Sequence, residues 1–340
     1  MKKYKVGLVG VGAVGAEMVR MLRERNFPCE SLRVYASRER DEEIAGETFH
    51  VMPTTKEVFK DLDIALFAGG TAASLEYRDA VVAAGAVMID NSRAFRQEPD
   101  VPLVVPQVNA DDLEWHKGVI ANPNCTTAIM LEAVAPLHKA KKLKRLIAST
   151  YQAASGAGAK GMEELELQMR EIVAGKAPTV SAFQHQLTYN LIPHIDKFDE
   201  TNWYTLEELK MRNEARKMLH APDLLVSCTS VRVPIPRAHS ESLNLEFEEE
   251  ITPEEARALL NAAPGVEVVD DPLANRYPMP LDATAKYNVL AGRIRQDISR
   301  NDKRGLDMFV SGDQLLRGAA LNAVEIAEEL VRRDLVRKGA

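Results

Sequence analysis

The stretch Ala121-Asn122-Pro123-Asn124-Cys125-Thr126-Thr127 sets a thiol at a sharp turn. Gly118 to Ala121 reads as a strand, and Thr126 to Lys139 as a helix with apolar Ile129, Met130, Ala133, Val134 and Leu137. A cysteine in that corner faces the positive end of a helix dipole, which favours thiolate. A thiolate is a nucleophile for acyl groups. A second chemical stretch runs from Val231 to Ser240, where Pro234 and Pro236 stiffen a segment carrying Arg232 and His239. A guanidinium forks onto a carboxylate, and an imidazole takes a proton near neutral pH. A lone histidine is more often structural, and His50, His116, His138, His185, His194 and His220 have no such company. Gln152 closes another predicted strand and precedes Ala153-Ala154-Ser155-Gly156-Ala157-Gly158. Its amide can orient an acyl group, while Ser155, Gly156 and their small neighbours admit a nicotinamide ring. The same residues also suit a plain loop into a helix over Ala159 to Ala174.

Gly10-Val11-Gly12-Ala13-Val14-Gly15 follows the first strand and opens the first helix. Gly10 permits a tight turn, Gly12 lets backbone approach a pyrophosphate, and Gly15 lets helix and strand pack closely. The helix N-terminus, with Ala13 and Val14, then faces the anion. Such turns also occur without ligands, so the strand before and the helix after carry the assignment. An NAD site usually ends its second strand in Asp or Glu. Here that strand runs into Ser37 and Arg38, a hydroxyl and a guanidinium that suit a 2′-phosphate. The reading is NADP over NAD, although Glu39, Asp41, Glu42 and Glu43 follow closely. A nucleophilic sulfur beside a hydride carrier points to acyl-enzyme redox chemistry.

The elements that must position these groups fall into two kinds. Strands over Tyr4 to Val9, Leu32 to Tyr35, Asp63 to Phe67, Ala86 to Ile89, Leu103 to Val105 and Gly118 to Ala121 alternate with helices, one to about Arg25 and one near Ala73 to Ala84. Continuous apolar strands separated by helices imply a buried parallel sheet, doubly wound in the Rossmann manner. After Cys125 longer strands appear: Arg145 to Tyr151, Leu224 to Ile235, Leu243 to Glu249, Tyr287 to Ile298 and Leu306 to Val310. Several alternate apolar and polar residues, which predicts an α+β domain with a mixed sheet. The expected boundaries are 1–124 for dinucleotide binding and 125–313 for the second domain. A last helix within 314–340, strongest over Gln314 to Arg333, is expected to pack back on the first domain.

The 340 residues suffice for two cores, and a formal charge of −7 leaves no footprint for nucleic acid. The basic run Lys139 to Arg145 reads as a solvated helix end. Cys29, Cys125 and Cys228 form neither a metal spacing nor a disulfide framework, which fits a reducing cytoplasm. Met1-Lys2-Lys3-Tyr4 runs straight into a strand rather than a signal peptide, and no apolar stretch reaches membrane-spanning length.

Asn122 to Thr127, Gln152 with Ser155 to Gly158, and Arg232 and Pro234 with His239-Ser240-Glu241 together resemble aspartate-semialdehyde dehydrogenase. So do Asp90-Asn91-Ser92-Arg93-Ala94-Phe95-Arg96 and Gly318-Ala319-Ala320-Leu321-Asn322-Ala323, in the family's order along essentially the whole chain. The resemblance implies NADPH-dependent conversion of L-aspartyl-4-phosphate to aspartate 4-semialdehyde and phosphate. That step leads to lysine by way of diaminopimelate, and to threonine and methionine. It implies Cys125 as nucleophile, His239 as acid/base and Gln152 as the residue positioning the acyl group. Arg232 matches the α-carboxylate anchor, and Arg96 a phosphate-binding arginine. Glu207 and Lys210 match contacts to the amino group and the phosphate, with Glu208 one register away. Asn322 matches a residue near the nicotinamide. A homodimer or homotetramer built from the second domain is also implied. Two positions depart: Thr126 stands where many bacterial members have Ser, and Ala323 where Thr is common. The nearest rivals are an N-acetyl-glutamyl-phosphate reductase or a glyceraldehyde-phosphate dehydrogenase on the same plan. A non-catalytic nucleotide-binding paralogue is the rival of another class.

Overall fold

A computed structural model describes residues 2–336 of the chain. It divides into two compact units, one running to Asn124 and resuming at Ala319, the other running from Cys125 to Gly318.

In the first unit the order is β1 (Tyr4–Val9), α1 (Ala13–Glu24), β2 (Cys29–Ala36), β3 (Arg40–Ile44), β4 (Glu47–Pro53), β5 (Ile64–Phe67), α2 (Thr71–Ala83), β6 (Val87–Asp90), α3 (Pro106–Asn109) and β7 (Val119–Ala121). The sheet order is β3-β4-β2-β1-β5-β6-β7. Among the described residues of this sheet only the β3–β4 pair is antiparallel. Every residue of β5 and β6 is buried, as parallel strands covered on both faces require. The mixed-charge stretch after Arg38 is part of the sheet. It forms the β3–β4 hairpin, turning at Ala45 and Gly46, both with positive φ (53° and 82°). That is the twist a two-residue hairpin needs. The expected strand over Leu103 to Val105 reduces to one bridge, Leu103 to Ala121.

In the second unit the elements are α4 (Cys125–Lys141), β8 (Leu143–Gln152), α5 (Ala159–Val173), α6 (Leu206–Met218), β9 (Leu225–Arg232), β10 (His239–Phe247), α7 (Pro253–Ala262), β11 (Val266–Val268), α8 (Pro280–Ala283), β12 (Val289–Gln296) and β13 (Gly305–Gly312). The sheet order β11-β12-β13-β10-β8-β9 mixes parallel and antiparallel pairs. Helices α4, α6 and α7 pack on the sheet, and alternate residues of β10, Leu243, Leu245 and Phe247, are buried. The polar helix α6 lacks an apolar stripe strong enough to predict it. Its start is set by a capping box in which Thr205 accepts from the Glu208 N–H and the Glu208 carboxylate accepts from the Thr205 N–H.

The last helix, α9 (Leu321–Arg332), starts later than Gln314. The Asp313 carboxylate accepts from the N–H groups of Leu315 and Leu316, which diverts the chain into a local turn. A single wide π-type turn over Leu316–Ala320 follows. Within the first unit α9 meets α1, where Arg25 forks onto Glu328 at 2.9 and 2.6 Å. Residues 337–340 of the expected helix, and Met1 of the expected first strand's lead-in, lie outside the described residues.

Candidate active site

The ends of β8, β9 and β10 bring three of the expected side chains together. Parallel pairing sets Gln152 beside Arg232, and antiparallel pairing of Ser240 with Tyr151 brings His239 up to Gln152. All three are buried. Thr150 Oγ1 donates to Gln152 Oε1 at 3.0 Å, which leaves the Gln152 amide hydrogens facing Glu207 Oε1 at 3.1 Å. Arg232 Nη1 donates to the Ala153 carbonyl at 2.6 Å, and its guanidinium lies 5.9 Å from the Phe183 ring centre.

His239 Nδ1 accepts the Ala153 N–H at 3.0 Å. A backbone N–H can only donate, so this bond assigns the imidazole proton to Nε2. Nε2 is buried and has no protein partner among the described residues. Burial, reinforced by the Arg232 charge, holds the His239 pKa well below the ordinary 6.5, so the ring is neutral at pH 7. One ring nitrogen is thus fixed by backbone, and the other presents an N–H with no protein partner among the described residues.

Glu207 and Lys210 join this cluster from α6. Lys210 Nζ donates to Glu207 Oε2 at 2.9 Å and to Asp196 Oδ2 at 2.7 Å. Burial works against the ammonium, but Glu207 and Asp196 overcome it and raise its pKa. Helix phase separates Glu207 from Glu208. The Glu208 carboxylate is used by the N–H groups of Thr205 and Ser230, so Glu207 is the one that meets Gln152.

Cys125 is the first residue of α4 and only half-buried. It is near enough to Arg232 for their charges to interact. The turn after β8 also approaches Arg232, because a Cβ on Gly156 would fall 2.6 Å from Arg232 Nη1 and 3.1 Å from His239 Nε2. A larger residue there would displace the Arg232 guanidinium and crowd the His239 ring. Sequence reasoning missed Gln314. Its Oε1 accepts the Ala238 N–H at 2.8 Å, and its Nε2 donates to Ser155 Oγ. The only available signal was an amide in a helical pattern, which does not distinguish it from a surface glutamine.

In the first unit the glycine turn has the shape expected of an anion site. Gly10 has φ +101° and would clash with Ala68 if it carried a Cβ. Gly15 packs on the Gly10 carbonyl, where a Cβ would sit 2.1 Å away. Gly12 meets nothing within 4 Å, and no side chain caps α1, whose first residues are Ala13 and Val14. Open space in front of unpaired helix N–H groups fits a pyrophosphate. Ser37 and Arg38 are exposed just after β2. The nearby acids Glu39 and Asp41 are engaged with His50 at 3.2 and 2.8 Å.

Arg96, also of the first unit, is buried and held by the carbonyls of Asn122 at 2.9 Å and Asn91 at 3.0 Å. The Asn322 amide donates to the Val104 carbonyl at 2.9 Å and to Asn122 Oδ1. It braces the strand leading to the cysteine turn, a structural task the sequence did not reveal.

Residues 5–116 match the profile of the semialdehyde dehydrogenase NAD binding domain, and residues 134–317 match that of the semialdehyde dehydrogenase dimerisation domain. The aspartate-semialdehyde dehydrogenase of a Synechocystis strain is 46% identical over 97% of this chain and 98% of its own. That of Aquifex aeolicus is 46% identical over 98% and 99%. The crystal structure of aspartate semialdehyde dehydrogenase II from Vibrio cholerae, complexed with ASA, superposes with a TM-score of 0.93 at 36% identity, covering 98% of this chain and 99% of that one. With two matched domains and near-full-length relatives, the chain belongs to the aspartate-semialdehyde dehydrogenase family, with a nicotinamide dinucleotide-binding first domain.

Proposed function

We propose that the chain converts L-aspartyl-4-phosphate to L-aspartate 4-semialdehyde and phosphate with NADPH, through a thioester on Cys125. One observation carries the reading: a neutral histidine with an unengaged Nε2, an amide and a guanidinium share one sheet end, near a cysteine that opens a helix.

Arg232 takes the substrate α-carboxylate through its planar fork, and Glu207 takes the α-ammonium. The Gln152 amide orients the acyl group. Arg96 and Lys210 offset the phosphate charge. Sulfur of Cys125 attacks the acyl carbon, the carbon–oxygen bond to phosphate breaks, and phosphate leaves with that electron pair. Gly10, Gly12, Ala13, Val14 and Gly15 hold the dinucleotide pyrophosphate, and Ser155 and Gly156 leave room for its ring. The reduced dinucleotide, when bound, supplies a hydride. Backbone N–H groups at the start of α4 stabilise negative charge on the former acyl oxygen. Release of the aldehyde breaks the carbon–sulfur bond, and His239 Nε2 exchanges the proton.

NADP is preferred over NAD because Ser37 and Arg38 stand exposed where an NAD site carries an acid, while Glu39 and Asp41 are occupied by His50. The second domain assembles the chain as a homodimer, or as a homotetramer of such pairs. Tyr151 and Leu225 of its sheet, 38% and 52% exposed, support this. The step serves lysine, threonine and methionine biosynthesis in the cytoplasm. Among the described residues no helix is long and apolar enough to cross a membrane.

The test is phosphate-dependent reduction of NADP by aspartate semialdehyde, run beside NAD and beside the N-acetylglutamyl substrate. Selective turnover of the aspartyl compound is expected. An inert wild type, or a Cys125→Ala variant as active as wild type, would end the proposal.

A further inference from the structure

One turn reaches the cysteine and the residue before the histidine. Residues 313–318 leave β13 and are buried throughout the stretch Asp313 to Arg317. Asp313 Oδ2 accepts from Arg237 Nε and from the Ala285 N–H, each at 2.7 Å. Gln314 holds the N–H of Ala238, the residue before His239. At the other end Gly318 lies against the nucleophile, since a Cβ there would fall 2.6 Å from Cys125 Cβ and 2.9 Å from its Cα.

Between these contacts sits Arg317, 2% exposed, with Nε 3.0 Å from a carboxylate oxygen of Glu132, itself fully buried. The same Nε donates to the Tyr287 carbonyl at 3.1 Å. Glu132 lies about two turns along α4 from Cys125, and so on the same helical face. Space for its carboxylate is kept by Gly265, where a Cβ would stand 1.6 Å from Glu132 Oε1. The helix carrying the thiol and the turn that meets Cys125 and Ala238 are therefore joined by a desolvated ion pair. Buried pairs of this kind rarely add net stability over apolar residues of similar size, and their best-attested use is in fixing register.

We infer that Arg317 and Glu132 are positioning residues that set the placement of Cys125 relative to His239. The inference rests on Cys125 being the nucleophile proposed above. The pair is neutral as a whole, so its effect is geometric. A displacement of about 1 Å at a reacting centre costs on the order of a hundredfold in rate.

The test replaces both partners, Glu132→Met with Arg317→Met, because removing one alone strands a buried charge and endangers folding. Expected are a native circular dichroism spectrum, a kcat lower by about a hundredfold and unchanged Michaelis constants for aspartate semialdehyde and phosphate. The pH midpoint for iodoacetamide alkylation at Cys125, followed by peptide mass spectrometry, should move upward. A merely space-filling role would leave that midpoint in place. A folded double variant with wild-type kcat and alkylation profile overturns the inference. If the double variant does not fold, Arg317→Lys, which keeps the charge opposite Glu132 but loses the planar guanidinium, is judged by the same two measurements. Alkylation that spares wild-type activity removes the thioester mechanism and this inference together. Alkylation that inactivates wild type, beside a variant that matches it, removes the inference alone.

Discussion

The glycine turn after β1 and the side-chain cluster at the ends of β8, β9 and β10 are built by opposite means. The first presents backbone. Gly10 and Gly15 are glycine because neighbours stand within 2.6 and 2.1 Å of any Cβ, and Gly12 leaves open space. The second presents buried side chains, and their charge states depend on one another. Burial and Arg232 keep His239 neutral, while Glu207 and Asp196 keep Lys210 charged. A backbone site is set by shape and scarcely senses pH. A side-chain site gains reactivity from burial and becomes sensitive to each neighbour.

Four experiments probe that contrast. Cys125→Ser should lose at least about 10⁴-fold in kcat while the protein stays folded, since a hydroxyl without a strong base is a poor nucleophile. Residual turnover within tenfold of wild type would remove the cysteine from the chemistry. On the backbone side, Gly12→Ala adds a methyl where the fold has room but a pyrophosphate would need it. The Michaelis constant for NADP should rise roughly ten- to two-hundredfold with an unchanged Tm. A lowered Tm, or an unchanged constant, would mean that Gly12 serves packing instead. Arg232→Lys keeps the charge but loses the fork, so the Michaelis constant for aspartate semialdehyde should rise about tenfold. Equal constants in variant and wild type would detach Arg232 from the carboxylate.

The smallest effect concerns Glu241, fully buried one pleat from His239, with neither carboxylate oxygen partnered among the described residues. Burial raises its pKa well above 4.5, so the folded state holds a proton that the unfolded state has released. Stability from this group is complete below pH 4.5 and declines by about 1.4 kcal/mol per pH unit as the pH rises toward the folded pKa. His239 has the opposite sign. Its lowered pKa costs stability as the pH falls below 6.5, so the two slopes oppose one another between 4.5 and 6.5. Glu241→Gln should therefore gain stability over wild type as the pH rises above 4.5, read by urea unfolding. Parallel curves for variant and wild type over that range would show that Glu241 is ionised in the folded protein.

Much of this was legible before folding. The glycine turn was readable because Gly10 and Gly15 answer constraints from neighbours within a few residues or from the adjacent strand. Cys125 was readable because a strand, a turn and a helix are local patterns. The β3–β4 hairpin was not, since Arg40-Asp41-Glu42-Glu43 carries no apolar alternation and only the positive-φ turn at Ala45-Gly46 makes it. Helix α6 was hidden for a related reason: its residues are mostly polar, and its contacts with the sheet, rather than an apolar stripe, hold it.

The sequence by itself determined which residue types could carry the chemistry, where the dinucleotide turn begins, and that a parallel sheet precedes a mixed one. Those are short-range matters of propensity, spacing and backbone sterics. Tertiary structure alone decided that Glu207 rather than Glu208 meets Gln152, that His239 is neutral with its proton on Nε2, and that residues 313–318 turn before α9 begins. Helix phase, cross-strand register and desolvation each sum over residues far apart in the chain, and no local window contains that sum.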